Sequence, residues 1–141
     1  YTGNPALFPL FEPQFPRDIV IVNINPLLRE GVPRTPAEIE ERINEISFNS
    51  SLLRELRAIS FVRRLLADQR LPEGTMKDVL IHMVSDDATM TDLGAASKAT
   101  PALGTLRRLK EAGQAAADRF LSAHGADLGQ RASVDLAALF S

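Results

Sequence analysis

The residues able to do chemistry are few and scattered. The chain has two histidines, His82 and His124, and they are 42 positions apart. Neither stands at the three- or four-residue spacing that puts two imidazoles on one metal. His82 lies inside an apolar run, where a hydrogen-bonded core or sheet imidazole is the ordinary reading. His124 lies near the end of a helical pattern, where a positive ring suits the negative end of the helix. Asp86, Asp87 and Asp92 are oxygen donors without the spacing and glycine of a calcium loop, so no metal site is expected. Gly94-Ala95-Ala96-Ser97-Lys98 has serine and lysine side by side, but not the Gly-x-Ser-x-Gly spacing of a nucleophile elbow. No aspartate is followed by glycine. There is no cysteine, which excludes thiolate nucleophiles, thiolate metal sites and disulfides. On the residues alone, this chain carries no catalytic constellation and calls for no cofactor.

Arginine is the remaining chemical signal. It supplies thirteen of the sixteen bases. Arg54, Arg57, Arg63, Arg64 and Arg70 fall along one helical stretch, balanced by Glu55 and Asp68. A solvated face is the ordinary reading, with an acidic partner or an anionic lipid surface as the alternative. Charge does not divide the chain. Residues 1–35 carry three acids and three bases, 36–75 seven and six, and 76–141 eight and seven. The net charge of −2 argues against nucleic acid as a partner.

The elements that must position these residues follow from pattern. The chain has 141 residues, 45% of them apolar and 24% charged, a soluble globular balance. The apolar stretches are far shorter than the roughly 18 residues of a membrane span. Seven of nine prolines fall in the first 36 residues. Pro5, Pro9, Pro13 and Pro16 preclude a long helix there, though Asn4 can cap a single turn with Pro5 at its first position. Leu7, Phe8, Leu10, Phe11 and Phe15 are too apolar for a free tail, so this segment must pack against something.

Asp18–Asn25 reads as a strand, apolar enough for burial on both faces as in a parallel sheet. A loop covers 26–34. Thr35-Pro36-Ala37-Glu38 is a capping box with proline at the first helical position. Ile39, Ile43, Ile46, Leu52, Leu53, Leu56, Ile59, Val62, Leu65 and Leu66 then mark the buried stripe of a helix ending near Asp68. Ser50 interrupts that stripe, so the helix bends there or another element comes close. Leu71–Thr75 is a turn, and a second strand lies within Lys77–Val84. The aspartates at 86, 87 and 92 are read as a polar connection. Thr100-Pro101 starts another helix, ending near His124-Gly125, with Leu106, Leu109, Gly113, Ala116, Ala117, Phe120 and Leu121 on one face. A last short helix begins at Ser133. The fold class is therefore α/β: two strands with a long crossover helix between them, and a helical C-terminal region.

Three segments, in order, carry a family resemblance: Gly3-Asn4-Pro5-Ala6-Leu7-Phe8-Pro9-Leu10-Phe11, then Asp18-Ile19-Val20-Ile21-Val22-Asn23-Ile24-Asn25-Pro26, then Arg42-Ile43-Asn44-Glu45-Ile46-Ser47-Phe48-Asn49-Ser50-Ser51-Leu52. Leu93–Lys98 and the alanine-rich stretch after it fit too. Together they resemble the C-terminal portion of bacterial patatin-like phospholipases. The resemblance spans nearly the whole chain, and the third segment is its most specific part.

The resemblance implies a fragment of a three-layer α/β fold. Residues 1–25 would close the catalytic core, and 26–141 would form a mostly helical α/β extension. The family is a serine acyl hydrolase acting on carboxylic esters through a serine–aspartate dyad, with backbone amides as the oxyanion hole. Serine, glycine-rich loop and Asp-Gly motif would all precede Tyr1, so no catalytic residue is carried over. Gly3, Asn4 and Pro5 would form the turn leaving the aspartate. The implied partners are the N-terminal catalytic portion, a fatty-acyl ester or phospholipid, and peripherally a membrane. For a chain with neither cysteine nor a visible signal, the default location is the cytoplasm or the periphery of the inner membrane. The competing expectation is a non-catalytic interaction module that uses the arginine-bearing helix to bind a subunit or a membrane.

Overall fold

Four β-branched residues in succession favour extended backbone. The computed structural model accordingly forms a strand, β1, over Asp18–Val22. It describes residues 5–72, 74–99 and 102–140, and for 94–99 the backbone alone. A long helix, α1, follows at Pro36–Ala67, and a second strand, β2, at Leu80–Val84. The remaining helices are α2 at Asp87–Ala99, α3 at Leu103–His124 and the four-residue α4 at Leu136–Leu139. β1 is shorter than the Asp18–Asn25 that the sequence pattern predicts, and β2 lies within the expected 77–84.

The strands form a two-stranded sheet. The Leu80 amide donates to the Arg17 carbonyl at 2.9 Å, and the Asn23 amide donates to the Val84 carbonyl at 2.9 Å. Both partners ascend together, so the pair is parallel. This register sets Ile19 opposite Ile81. Odd-numbered residues of β1 bond to β2, and even-numbered ones turn their backbone groups to the other edge. Side chains alternate accordingly. Ile19 and Ile21 are buried, whereas Val20 and Val22 are 48% and 70% exposed. The expectation of burial on both faces is corrected for β1: among the described residues, one of its faces is covered.

The chain forms two compact units. One comprises Tyr1–Ile21, Ser50–Met83 and Ala126–Ser141. Its interior holds Leu7, Ile19, Ile21, Leu52, Leu56, Ile59, Val79, Leu80, Ile81 and Leu136. The C-terminal half of α1 supplies Leu52, Leu56 and Ile59 at the four- and three-residue steps of a helix face. The Ser133 and Val134 amides donate to the Ile81 carbonyl at 3.1 and 3.3 Å, which occupies the outer side of β2. Asp135 caps α4, accepting from the Ala137 and Ala138 amides at 2.9 and 3.0 Å. That places the helix start, Leu136, three residues beyond the expected Ser133.

The other unit comprises Val22–Asn49 and Val84–Gly125, with Leu93, Ala116 and Phe120 buried. The capping box forms as the sequence requires. Thr35 Oγ1 accepts from the Glu38 amide at 3.3 Å, and the Glu38 carboxylate accepts from the Thr35 and Arg34 amides at 3.1 and 2.7 Å. Those two amides hold the Glu38 carboxyl below its ordinary range.

The stripe that follows is reversed. Ile39, Ile43 and Ile46 are 44%, 57% and 60% exposed, while Glu45 and Asn49 are buried. The physical reason is a polar layer beneath this half of α1. Arg29 reaches Glu41 at 3.4 Å and Glu45 at 3.5 Å, and Arg42 lies 3.8 Å from Glu45. Asn49 donates to the Pro26 carbonyl at 2.8 Å. The 26–31 loop carries carbonyls and a guanidinium that need partners, and α1 turns its carboxylates and amide toward them. Ser50, on the apolar stripe, is exposed, and α1 continues through it.

Two further expectations change. The polar connection at 86–92 is helical from Asp87 onward, because Asp86 accepts the Thr89 amide at 3.1 Å in the manner of an N-cap. The expected turn at Asn4-Pro5 appears instead as a 3-10 turn over Phe8–Phe11, with Pro9 in its first two positions. Asn4, Glu73, Thr100 and Pro101 lie outside the described residues.

Candidate functional site

Three polar arrangements and one strand edge have the makings of a site. The first arrangement joins both strands. His82 is fully buried on β2, and its Nε2 lies 2.8 Å from Oδ1 of Asp18. The register puts both side chains on one face. The same carboxylate accepts the Gly129 amide at 2.7 Å. Gly129 has φ +75°, a left-handed conformation that a side chain disfavours. The Gly129 amide is the main cause that lowers the Asp18 carboxyl below its usual 3.8; burial opposes it, and the hydrogen bond and charge of His82 and the charge of Arg17 assist. A carboxylate orienting an imidazole supplies two of the three members of a catalytic triad. Here, however, the ring has no exposed surface with which to meet a substrate. The pair instead ties β1, β2 and the turn after α3 together, which agrees with a structural His82. His124 also has a structural setting: its ring lies 5.8 Å from that of Phe120 in the last turn of α3.

The second arrangement anchors the proline-rich opening. The Glu55 carboxylate accepts the amides of Leu7 at 2.5 Å and Phe8 at 3.0 Å. Lys77 Nζ donates to the carbonyls of Leu10 at 2.9 Å and Glu12 at 3.0 Å. Prolines leave this segment short of internal hydrogen bonds, and two charged side chains supply the partners. Leu7 is buried, but Phe8, Leu10 and Phe15 remain exposed. Of the three residues expected to form the turn leaving a catalytic aspartate, Pro5 sits in a half-buried bend; Gly3 and Asn4 lie outside the described residues.

The third arrangement is an arginine cluster. Asp78 takes Arg17 at 2.7 Å and Arg63 at 3.2 Å. Arg57 stands 5.0 Å above the Phe140 ring, and Arg64 lies 5.5 Å from the Phe61 ring. Arg131 bonds Asp127 through Nε at 2.7 Å. Arg63, Arg64 and Arg131 line one groove of about 1330 Å³, together with Asp78, Asp135 and Phe140. In the other unit a smaller groove of about 380 Å³ lies at the C-terminal ends of the strands, lined by Val22, Ile24, Val84, Met90, Leu109 and Ala116. Asp86 stands at its rim, lowered chiefly by the Thr89 amide and bonded to Arg119 at 3.3 Å. Its neighbour Asp87 is raised, first by burial and then by the Asp86 charge. Asp86, Asp87 and Asp92 do not form a metal-binding group with other donors among the described residues.

The strand edge is the outer side of β1. Val20 and Val22 direct their amides and carbonyls there, and among the described residues no backbone group pairs with them. Asp18, Glu55 and Lys77 carry these arrangements, and none stands out in sequence, because each acts on a partner 47 or more positions away. Among the described residues, no helix is long and apolar enough to cross a membrane. No family model, curated protein or solved structure matches this chain.

Proposed function

We propose that this chain is the C-terminal, non-catalytic portion of a patatin-like lipid acyl hydrolase, completing the sheet of a catalytic portion that carries the serine–aspartate dyad. The observation that carries this reading is the open edge of β1. A two-stranded parallel sheet is a poor independent unit. Here the unpaired edge is also apolar, and exposed Phe8, Leu10 and Phe15 belong to the segment that leads into it. A soluble protein normally blunts such an edge with charge, proline or a bulge. Val20 and Val22 do none of these. The three segments of resemblance supply the identity of the partner: the catalytic portion of the same protein, acting on fatty-acyl esters or phospholipids.

In this reading the catalytic portion would attack the ester carbonyl with its serine, with the aspartate as base and backbone amides at the oxyanion. The present chain would hold the aspartate turn through the Glu55 and Lys77 anchors of residues 7–12. The competing module, docking through the arginines of α1, is less well supported. Arg57 and Arg63 are already engaged, on Phe140 and on Asp78.

Two measurements test the reading. A p-nitrophenyl ester assay of the 141-residue chain should give no turnover, whereas the parent protein should hydrolyse the ester. Amide exchange at Val20 and Val22 should be fast in the chain and at least a hundredfold slower in the parent. Turnover by the chain alone, or equally fast exchange in both, overturns it.

A further inference from the structure

The groove between the C-terminal end of α1 and residues 131–140 is lined by more guanidinium groups than carboxylates. Three arginines face it, against two carboxylates, Asp78 and Asp135. Both carboxylates already have partners. Asp78 is shared between Arg63 and Arg17, and Asp135 Oδ1 accepts two amides of α4. Arg63 bonds Asp78 through Nε, leaving its terminal amino groups over. Arg131 likewise uses Nε on Asp127, with the side chain otherwise open to solvent. Arg64 has the Phe61 ring beside it and, among the described residues, no ion pair. An arginine held by Nε or by a ring presents its remaining N–H groups as a fixed fork, the geometry that fits phosphate oxygens.

The rest of the lining specifies what the anion is attached to. Leu66, Leu71, Met76, Val134 and Phe140 give the groove apolar wall, and its volume exceeds that of a bare ion many times over. Two or more forks on one groove call for a ligand with at least three terminal oxygens and a charge near −2. A simple carboxylate offers one fork's worth of acceptors.

We propose that this groove binds a phosphate monoester, its phosphoryl oxygens accepting from Arg64 and Arg131 and its organic part lying against Phe140 and Leu71. Arg63, fixed by Asp78, is the positioning residue beside them. The proposal stands apart from the hydrolase reading, since it concerns a different face and no ester bond is cleaved.

The test is calorimetric titration of the chain with phenyl phosphate, with benzoate as the single-carboxylate comparison. Phenyl phosphate should bind saturably, and benzoate about tenfold or more weakly. Arg64→Gln and Arg131→Gln should each weaken phenyl phosphate by about tenfold, and the double variant should abolish detectable binding. Arg64→Lys, which keeps the charge and loses the fork, should fall between. Arg119→Gln, an exposed arginine of the other unit, should leave binding unchanged. Circular dichroism of each variant confirms that it is folded.

Co-sedimentation with phosphatidylcholine vesicles, with and without phosphatidic acid, distinguishes the source. Sedimentation that requires phosphatidic acid and is competed by phenyl phosphate identifies a lipid headgroup. Binding in solution without sedimentation identifies a soluble phosphate ester. The absence of saturable binding in both arms overturns the proposal, as does a folded double variant that binds like the parent sequence.

Discussion

Helix α1 allows a direct contest between periodicity and tertiary environment, because the same stripe contains Ile43 and Leu56. Leu56 has no exposed surface, and Ile43 is 57% exposed. Truncating Leu56 to alanine removes fully buried methyl groups and leaves a cavity, at a cost of about 2–5 kcal/mol. Full burial of an isoleucine is worth about 1.5–3 kcal/mol, and Ile43 realises less than half of that. Alanine's higher helix propensity returns a few tenths of a kcal/mol, roughly, so Ile43→Ala should cost well under 1 kcal/mol. The two variants should differ by about 2 kcal/mol or more. Urea unfolding of the 141-residue chain, followed by helical circular dichroism, measures both. Ile43→Lys sharpens the contrast: a charge on an exposed face costs little, and in an apolar interior it would prevent folding. If Ile43→Ala proves as costly as Leu56→Ala, the stripe is buried in solution and the reversed polarity of this half of α1 is refuted.

Other consequences can be checked separately. Asp18 has a lowered carboxyl value in the folded state, so its ionised form is favoured by folding. Its contribution is therefore complete above about pH 4 and is lost as pH falls through the folded value. Asp18→Asn should lower stability near pH 7 and flatten the acid limb of a stability–pH curve; an unchanged acid limb would exclude this role. Glu55→Gln removes the charge that accepts the Leu7 and Phe8 amides, and should accelerate exchange of both amides by about tenfold or more without unfolding β1. Gln69 ends α1 with φ 54°, while the Arg70 and Gln69 amides return to the Leu65 and Leu66 carbonyls at 2.9 and 3.1 Å. Glycine is the favoured residue at such a helix end, so Gln69→Gly should raise the unfolding midpoint, by about 1 kcal/mol of stability.

Local grammar wrote much of this fold. The Thr35–Glu38 capping box, the proline at position 36 and the helix end near 67 all act within a few residues, so sequence spacing contains them. The β-branched run of β1 and the apolar run of β2 are likewise local. The start of α2 was readable in principle, since Asp86 stands three residues before the amide it caps. The density of aspartates there instead favours a loop reading.

The arrangements that could do something were settled by distance along the chain. His82 meets Asp18 across 64 positions, Lys77 meets Leu10 across 67, and Gly129 meets Asp18 across 111. No pattern within a window encodes such pairs. The reversed half of α1 has the same origin. Ile39, Ile43 and Ile46 have the spacing of a core stripe, and an isolated helix cannot say which of its faces the chain will need. The Arg29 guanidinium and the Pro26 carbonyl needed partners, and Glu41, Glu45 and Asn49 of α1 supply them, with the Thr91 carbonyl as a further acceptor for Arg29. Hydrophobic spacing thus fixed that residues 36–67 form a helix, and the hydrogen-bonding demand of a packed loop decided which face is buried.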